Sequence, residues 1–580
     1  MTVTTSPGAG SHALPPASQH QPAAPILEPV RPRRATTARV AVVLVTTLAL
    51  LSLVGGFALA NLPRTEANVL AAYAAADTTA YVELRLDLPG DQRERVAQLV
   101  GQFPGFDDAA TIEGRIGEAF DELADKADAD FRWSRDVEPW FGGQLALMVT
   151  IDSDEAQPDE PPFVIGISVK DAAAARELIV GRLTGENVTF DEYRGATVWH
   201  RPAGDRKGAL ALTNDALLLG RSVDEVHAAL DVAAGERPAL PDNAAYAEPV
   251  AALHEDRLAT VYVDGAALAD LYADRSSLLT LSLQQPYDMF SGVLVAELRA
   301  EGDHLALTAR SRPAAGSPPL PANRTTSLAQ RMPVDSVAYL EVRAAGESLE
   351  RAIAAYLAQL ADEDPDDGGM LPQLETLLGT PPDEFLDFLD DAAVAVTADD
   401  DSFSGGLVAT LKDEQVARER LQRLVGVIRT WAAFETAPLT VSEEQYGGET
   451  LVVIKPTVRS GSMPGLGSVL PALSFTFTDG LLVLGMDDFV RGVLDADPAA
   501  GLASNEGYRA ALAAAGADNA GVGYVDLAVL RGHLEGMIGR RDRAAYDRDL
   551  QPYLAPFDRL MVVTVVEGGE LVSRTLVYVE

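Results

Sequence analysis

The chain of 580 residues contains no cysteine. Disulfides, thiolate metal sites and cysteine nucleophiles are therefore excluded together. Lysine is nearly absent as well: Lys126, Lys170, Lys207, Lys412 and Lys455 are the only ones, so the basic side of the balance rests on arginine. Basic residues are themselves outnumbered, 46 against 86 acidic, for a net charge of −40. So acidic a chain excludes nucleic acid as a partner class and is repelled by a bare anionic membrane. No serine sits in G-x-S-x-G and no two histidines stand in H-x-x-x-H spacing, so neither a nucleophile elbow nor a helical zinc site is encoded. No catalytic, cofactor-binding or metal-binding residue is assigned, and the reading is not an enzyme.

What is present begins with an apolar run. Val40 to Leu62, VAVVLVTTLALLSLVGGFALANL, carries no charge, and at about 1.5 Å per residue it reaches about 34 Å, enough to cross a bilayer core. Residues 40–62 are therefore expected to form a transmembrane helix. Arg31, Arg33, Arg34 and Arg39 precede it, while Arg64 is offset by Glu66. The positive-inside rule then places residues 1–39 in the cytoplasm, as a disordered tail, and everything after residue 64 outside the cell membrane. Ala58, Leu59 and Ala60 also form an A-x-A site, which supports the alternative of secretion after cleavage near Ala60.

The remainder repeats itself. Tyr81, Glu83 and Arg85 of AYVELRL recur as Tyr339, Glu341 and Arg343 of AYLEVRA. VKDAAAARE (169–177) recurs as LKDEQVARE (411–419), EYRGATV (192–198) as QYGGETL (445–451), LTNDALLLG (212–220) as FTDGLLVLG (477–485), and YVDGAAL (262–268) as YVDLAVL (524–530). The turns EGDHL and EGGEL begin at 301 and 567. The shared order predicts duplication of a module of roughly 250 residues: module 1 at 64–311, a proline-rich linker at 312–331 and module 2 at 332–580. In AYVELRL, Ala80, Val82, Leu84 and Leu86 alternate with the polar triplet, the period-two signature of a half-buried strand. PFVIGISV (162–169) reads as a central strand. Asp91 with Glu94 reads as a capping box, and Asp171, Asp264 and Asp526 read as N-caps. Hairpin turns fall at Arg194-Gly195, Asn214-Asp215 and Gly302-Asp303. Hairpins outnumber strand-helix-strand units, so the expected class is α+β: a transmembrane helix, then two tandem homologous α+β modules with largely antiparallel sheets.

LRLDLPGDQR (84–93), FPGFDD (103–108) and PWFGGQLAL (139–147) resemble the bacterial domain-of-unknown-function 3352 family. The resemblance covers most of residues 64–580 and weakens in the second module, where LDFLDD (386–391) replaces PWFGG. It implies exported, membrane-anchored proteins without an assigned activity, and it carries over no catalytic residue.

Other features have bland readings. DEDPDDGG (362–369) fails the calcium-loop register, with Asp367 where glycine is needed and Gln373 where glutamate is needed, and reads as a solvated acidic loop. His200, His227, His254, His304 and His533 have no histidine counterparts in the other module. Phe103, Phe106, Phe120, Phe131, Trp133, Trp140 and Phe141 read as core. PTVRSGSMPGLGSVLPAL (456–473) is an insertion of module 2 and reads as a mobile loop. The polar triplets are expected to pair with neighbours on a solvated or helix-covered face. The expected function is a non-catalytic binding or scaffolding module in the cell envelope, with the membrane met through residues 40–62 and no cofactor. The alternatives are a carrier of an apolar, lipid-like ligand, which requires an internal cavity above roughly 300 Å³, and an enzyme whose site sequence does not reveal.

Overall fold

The computed structural model describes residues 69–104, 132–151, 162–183, 188–201, 208–267, 292–314, 317–325, 327–363, 370–399, 402–433, 439–456 and 471–580. The apolar run 40–62, most of the acidic loop 362–369 and most of the insertion 456–473 lie outside them. Among the described residues no helix is long and apolar enough to cross a membrane.

Among the described residues the first half contributes ten strands to the main sheet: β1 (Ala80–Arg85), β2 (Phe141–Val149), β3 (Phe163–Val169), β4 (Thr189–Tyr193), β5 (Ala196–His200), β6 (Ala209–Leu212), β7 (Ala216–Gly220), β8 (Ala259–Asp264), β9 (Val293–Glu301) and β10 (His304–Arg312). The second half contributes β11 (Ser336–Val342), β12 (Leu389–Asp399), β13 (Ser402–Leu411), β14 (Leu439–Tyr446), β15 (Glu449–Pro456), β16 (Leu473–Thr478), β17 (Leu481–Met486), β18 (Gly521–Asp526), β19 (Phe557–Glu567) and β20 (Glu570–Val579). The first ten pair in the order β4-β5-β6-β7-β3-β2-β1-β8-β9-β10, every pair antiparallel. The second ten run β20-β19-β18-β11-β12-β13-β17-β16-β15-β14, again all antiparallel. Each strand of the first order has its counterpart ten numbers higher in the second, read backwards.

The halves meet through β10 and β20, making one sheet of 20 strands among the described residues. Aligning EGDHL with EGGEL sets His304 against Glu570 and Thr308 against Arg574. Thr308 and Arg574 are also the pair that face each other in the β10–β20 ladder, so the junction is two-fold symmetric about them. Two further ties cross the junction: Arg312 donates to Glu570 at 2.8 Å, and the Phe103 ring packs edge-on against Phe557 at 5.5 Å. Residues Arg324–Thr325, within the expected linker, pair with Asp518–Asn519, and Leu328 and Ala329 are buried in the second core.

One face of the sheet is sealed along both halves. In the first half Tyr81, Met148, Tyr262, Val198 and Leu218 pack under Leu70, Tyr73, Val226, Leu230 and Tyr246. In the second, Tyr339, Tyr524, Val483, Met561 and Val563 pack under Val490, Leu502, Tyr508 and Ala511. The other face is covered towards the outer strands of the second half. There Ala417 and Val425 of helix Glu414–Ala433 cluster with Ala409, Phe475, Phe477 and Leu482. The corresponding helix of the first half, Ala172–Leu183, buries Ala175 and Ile179 and holds Arg176 over Trp199.

Local readings mostly hold. PFVIGISV is central, paired with β2 and β7. The Arg194-Gly195 turn takes φ 50° and 81°, as a two-residue hairpin with the sheet's twist requires. Asp171 caps Ala173 and Ala174 at 3.0 Å, Asp264 caps Ala266 at 3.1 Å, and Asp526 caps Val529 at 2.8 Å. The capping box at Asp91 does not form: Asp91 accepts from Arg95 one turn on at 2.7 Å instead, an ion pair displacing a neutral cap.

Candidate functional site

The polar triplet of β1 lies on the sealed face. Tyr81 faces Met148 and Tyr262, and Glu83 faces Ala146 and Thr260, because residues directly opposite share a face. Glu83 is 1% exposed, deeper than most apolar residues of its own strand. Above it the rings of Tyr81, Tyr246 and Tyr262 stack edge to face, at 5.9 and 5.3 Å. The second half repeats this arrangement with Tyr339, Tyr508 and Tyr524, at 6.0 and 5.4 Å. Of the two settings expected for the triplet, the structure adopts the helix-covered one.

The charges differ between halves. Tyr339 donates to Glu341 at 2.5 Å, and Arg343 pairs with Glu341 and, at 3.2 Å, with Asp391. Arg343 also donates to the carbonyls of Asn519 and Arg324. In the first half Arg85 reaches Asp87 at 2.8 and 3.1 Å, and Tyr81 donates to Glu83 at a long 3.4 Å. Gln144 occupies the place of Asp391 and accepts from the Val69 amide at 3.3 Å. Burial pushes the Glu83 carboxyl up to about 7, against the opposing pull of Arg257 and Arg85. Burial likewise raises the Tyr262 phenol to about 12 and that of Tyr246 beyond it. Glu83 and Glu341 are sealed, at 1% and 0% exposure. Both centres have the make-up of buried pairing networks.

The histidines do not converge. His227 stacks on Tyr193 at 3.8 Å, His254 bonds Glu297 at 2.8 Å, His304 bonds Asp303 at 2.9 Å, and His533 packs against Phe403. Among the described residues no three His, Asp or Glu side chains gather as a metal site. Of the module 1 aromatics, Trp133, Trp140 and Phe141 are buried as core, Phe103 packs on Phe557, and Phe106, Phe120 and Phe131 lie outside the described residues. A surface cleft of about 680 Å³ is lined by Asp335, Tyr446, Asp488, Phe489, Arg491 and Asp495. Its polar walls pair with one another: Tyr446 donates to Asp495 at 2.5 Å, and Arg491 bridges Asp488 and Glu444.

The surface that composition did not single out is the centre of the open face. Leu340 of β11 and Val394 of β12 are direct cross-strand partners, yet they are 53% and 44% exposed. Val342 beside them is also exposed. Gly521 and Gly523 of β18 face Val342 and Leu340, so the neighbouring strand offers no side chain to cover them. Alternation in AYLEV marks Leu340 and Val342 as one face and would place them inward; the deeper burial goes to the opposite, polar side.

Residues 36–538 match the family described as protein of unknown function (DUF3352). The chain belongs to that family. The motif PWFGGQ, shared in the resemblance, has a structural role here. β2 and β3 shift register between Phe141 and Leu145. Gly142 makes the shift possible, since a Cβ there would lie 2.8 Å from Ser168 Oγ, the atom that accepts from the Gln144 amide at 2.7 Å. The second half has its own shift between Leu389 and Ala392, within LDFLDD and the start of β12. No curated protein matches the chain. Two solved structures, crystal forms I and III of TP0453, align over 43% of this chain and 80% and 81% of theirs, each at 10% identity, with TM-scores of 0.24 and 0.23.

Proposed function

We propose that this chain is a membrane-anchored, extracytoplasmic protein that works by binding or scaffolding, without a catalytic centre, and that its contact surface is the open apolar centre around Leu340 and Val394. The paired exposure of those two residues carries the reading, since large apolar side chains on a rigid sheet serve contact when they do not serve the core. The two-module organisation, 64–311 and 332–580, is part of the proposal. The matching strand orders and the symmetric β10–β20 junction support it, because duplication of one unit accounts for both. Anchoring through residues 40–62 rests on the sequence alone.

The test is Leu340→Glu with Val394→Glu in the full chain. The pair is expected to leave the urea midpoint within error, as surface substitutions do, and to abolish a photocrosslink placed at Val342 in intact cells. A crosslink that survives the pair, or a large loss of stability, overturns the reading. The carrier reading is favoured instead if native mass spectrometry of the full chain shows a reproducible lipid-sized adduct that the same pair removes.

A further inference from the structure

We propose that the helical hairpin formed by residues 527–554 docks on the headgroup layer of an anionic phospholipid bilayer, an inference that goes beyond the sheet-face reading and does not depend on it. Helix Leu527–Gly536 is followed by helix Arg540–Asp549 and the turn Gln551–Leu554. The parts are held together. Glu535 accepts from Tyr546 at 2.8 Å and from Arg543 at 3.5 Å, and Arg531 donates to the carbonyls of Leu554 and Phe557 at 2.7 and 2.8 Å. A hairpin assembled this firmly would be expected to bury an apolar stripe. Helix Leu527–Gly536 instead has no buried residue, and Val529, Leu534, Met537, Leu550, Tyr553 and Leu554 are all exposed, Met537 at 72%. These are six of the seventeen exposed large hydrophobics among the described residues. Leu534 and Met537 stand one turn apart, as do Leu550, Tyr553 and Leu554, so each helix end presents its apolar residues on one side.

Charge selects the partner. Residues 527–554 hold five arginines against four carboxylates, whereas the chain holds 46 basic residues against 86 acidic ones. The bulk acidity that repels an anionic surface is therefore lifted at the hairpin. Arg541 is exposed and makes no ion pair among the described residues, and Arg548 is tied to its neighbour Asp549. Exposed apolar side chains set among arginines are what an interfacial element needs, the first entering the headgroup boundary and the second meeting phosphates.

The absence of cysteine makes the test clean. Met537→Cys in the full chain carries a single environment-sensitive fluorophore, and Val180→Cys, exposed on helix Ala172–Leu183, is the control. The protein is placed in vesicles of phosphatidylcholine with phosphatidylglycerol, or of phosphatidylcholine alone. The expected result is a blue shift, with quenching by a spin-labelled lipid, at position 537 in the anionic vesicles and an aqueous spectrum at position 180. Adding Arg541→Glu is expected to lower the docked-to-free ratio roughly 25-fold, two charge steps at about five-fold each. The inference fails if position 537 stays aqueous in anionic vesicles. It fails equally if the shift is the same in neutral vesicles, or if it grows with protein concentration in the absence of lipid, which marks self-association. The Leu340→Glu and Val394→Glu pair leaves this signal unchanged, so the two proposals stand or fall separately.

Discussion

Replacing Arg343 by methionine is expected to cost the folded chain about 3–5 kcal/mol, the range for removing one partner of a buried ion pair, read as a fall in the urea midpoint at unchanged slope. The guanidinium is 1% exposed and is enclosed by Glu341, Asp391 and the carbonyls of Asn519 and Arg324. Methionine fills much of the volume and keeps the packing. What it removes is the positive charge between two carboxylates: Glu341 is left in a low-dielectric site without its counter-charge, while Asp391 keeps Arg324 at 3.3 Å. Most of the loss is therefore the penalty on Glu341. It follows that Arg343→Met combined with Glu341→Gln and Asp391→Asn recovers much of the stability. If the triple variant is no better than the single one, the loss is one of packing and the electrostatic account is wrong. Arg85→Met in the first half is expected to cost less, because the Arg85 side chain is 12% exposed where that of Arg343 is 1%.

The comparison between the halves shows how far sequence reaches. The order of short matches, from AYVELRL to EGDHL, points to two equivalent halves but to no strand order; the matches sit on strands, on hairpin turns and on the starts of helices Ala172–Leu183 and Glu414–Ala433. The junction was not contained in it. Pairing of β10 with β20 depends on which edge is left free after each half folds, and nothing within a single strand encodes that. The face of the triplet was ambiguous for a related reason. Alternation separates Tyr81, Glu83 and Arg85 from Val82 and Leu84, but the side that is sealed is decided by Leu70 and by Val226 and Tyr246, the last two far off along the chain. Residue type alone leaves the polar side either solvated or helix-covered; the buried tyrosine cluster and the paired arginines go with the second. Leu340 is hidden in the sequence for the complementary reason: an apolar residue on a strand has the pattern of a core residue, and its neighbours Gly521 and Gly523 lie far along the chain. Net charge over the whole chain likewise conceals the arginines of the hairpin.

Glu83 supplies the sharpest test of the buried centre. Stability is expected to fall as pH rises from about 4.5 to about 7 on account of this one group. Its carboxyl has an ordinary value of 4.5 and is held at about 7 in the folded chain, chiefly by burial. Between those values the folded state carries a proton that the unfolded state has lost, so raising the pH favours unfolding. The contribution is fully present below pH 4.5 and gone once the folded carboxyl has ionised above 7, a loss on the order of 3 kcal/mol. Glu83→Gln keeps the shape and the hydrogen-bonding edge while removing the titration. The variant should match the native chain near pH 4.5 and exceed it at pH 8, so the difference between their urea midpoints isolates Glu83 from every other group that titrates. Glu341→Gln should behave in the opposite way, losing stability at pH 8, because it takes the charge partner from Arg343. Were Glu83→Gln the less stable protein at pH 8, the ionised carboxylate would be compensated in the folded state by Arg257 and Arg85, and the two centres would be electrostatic equals in spite of their different partners.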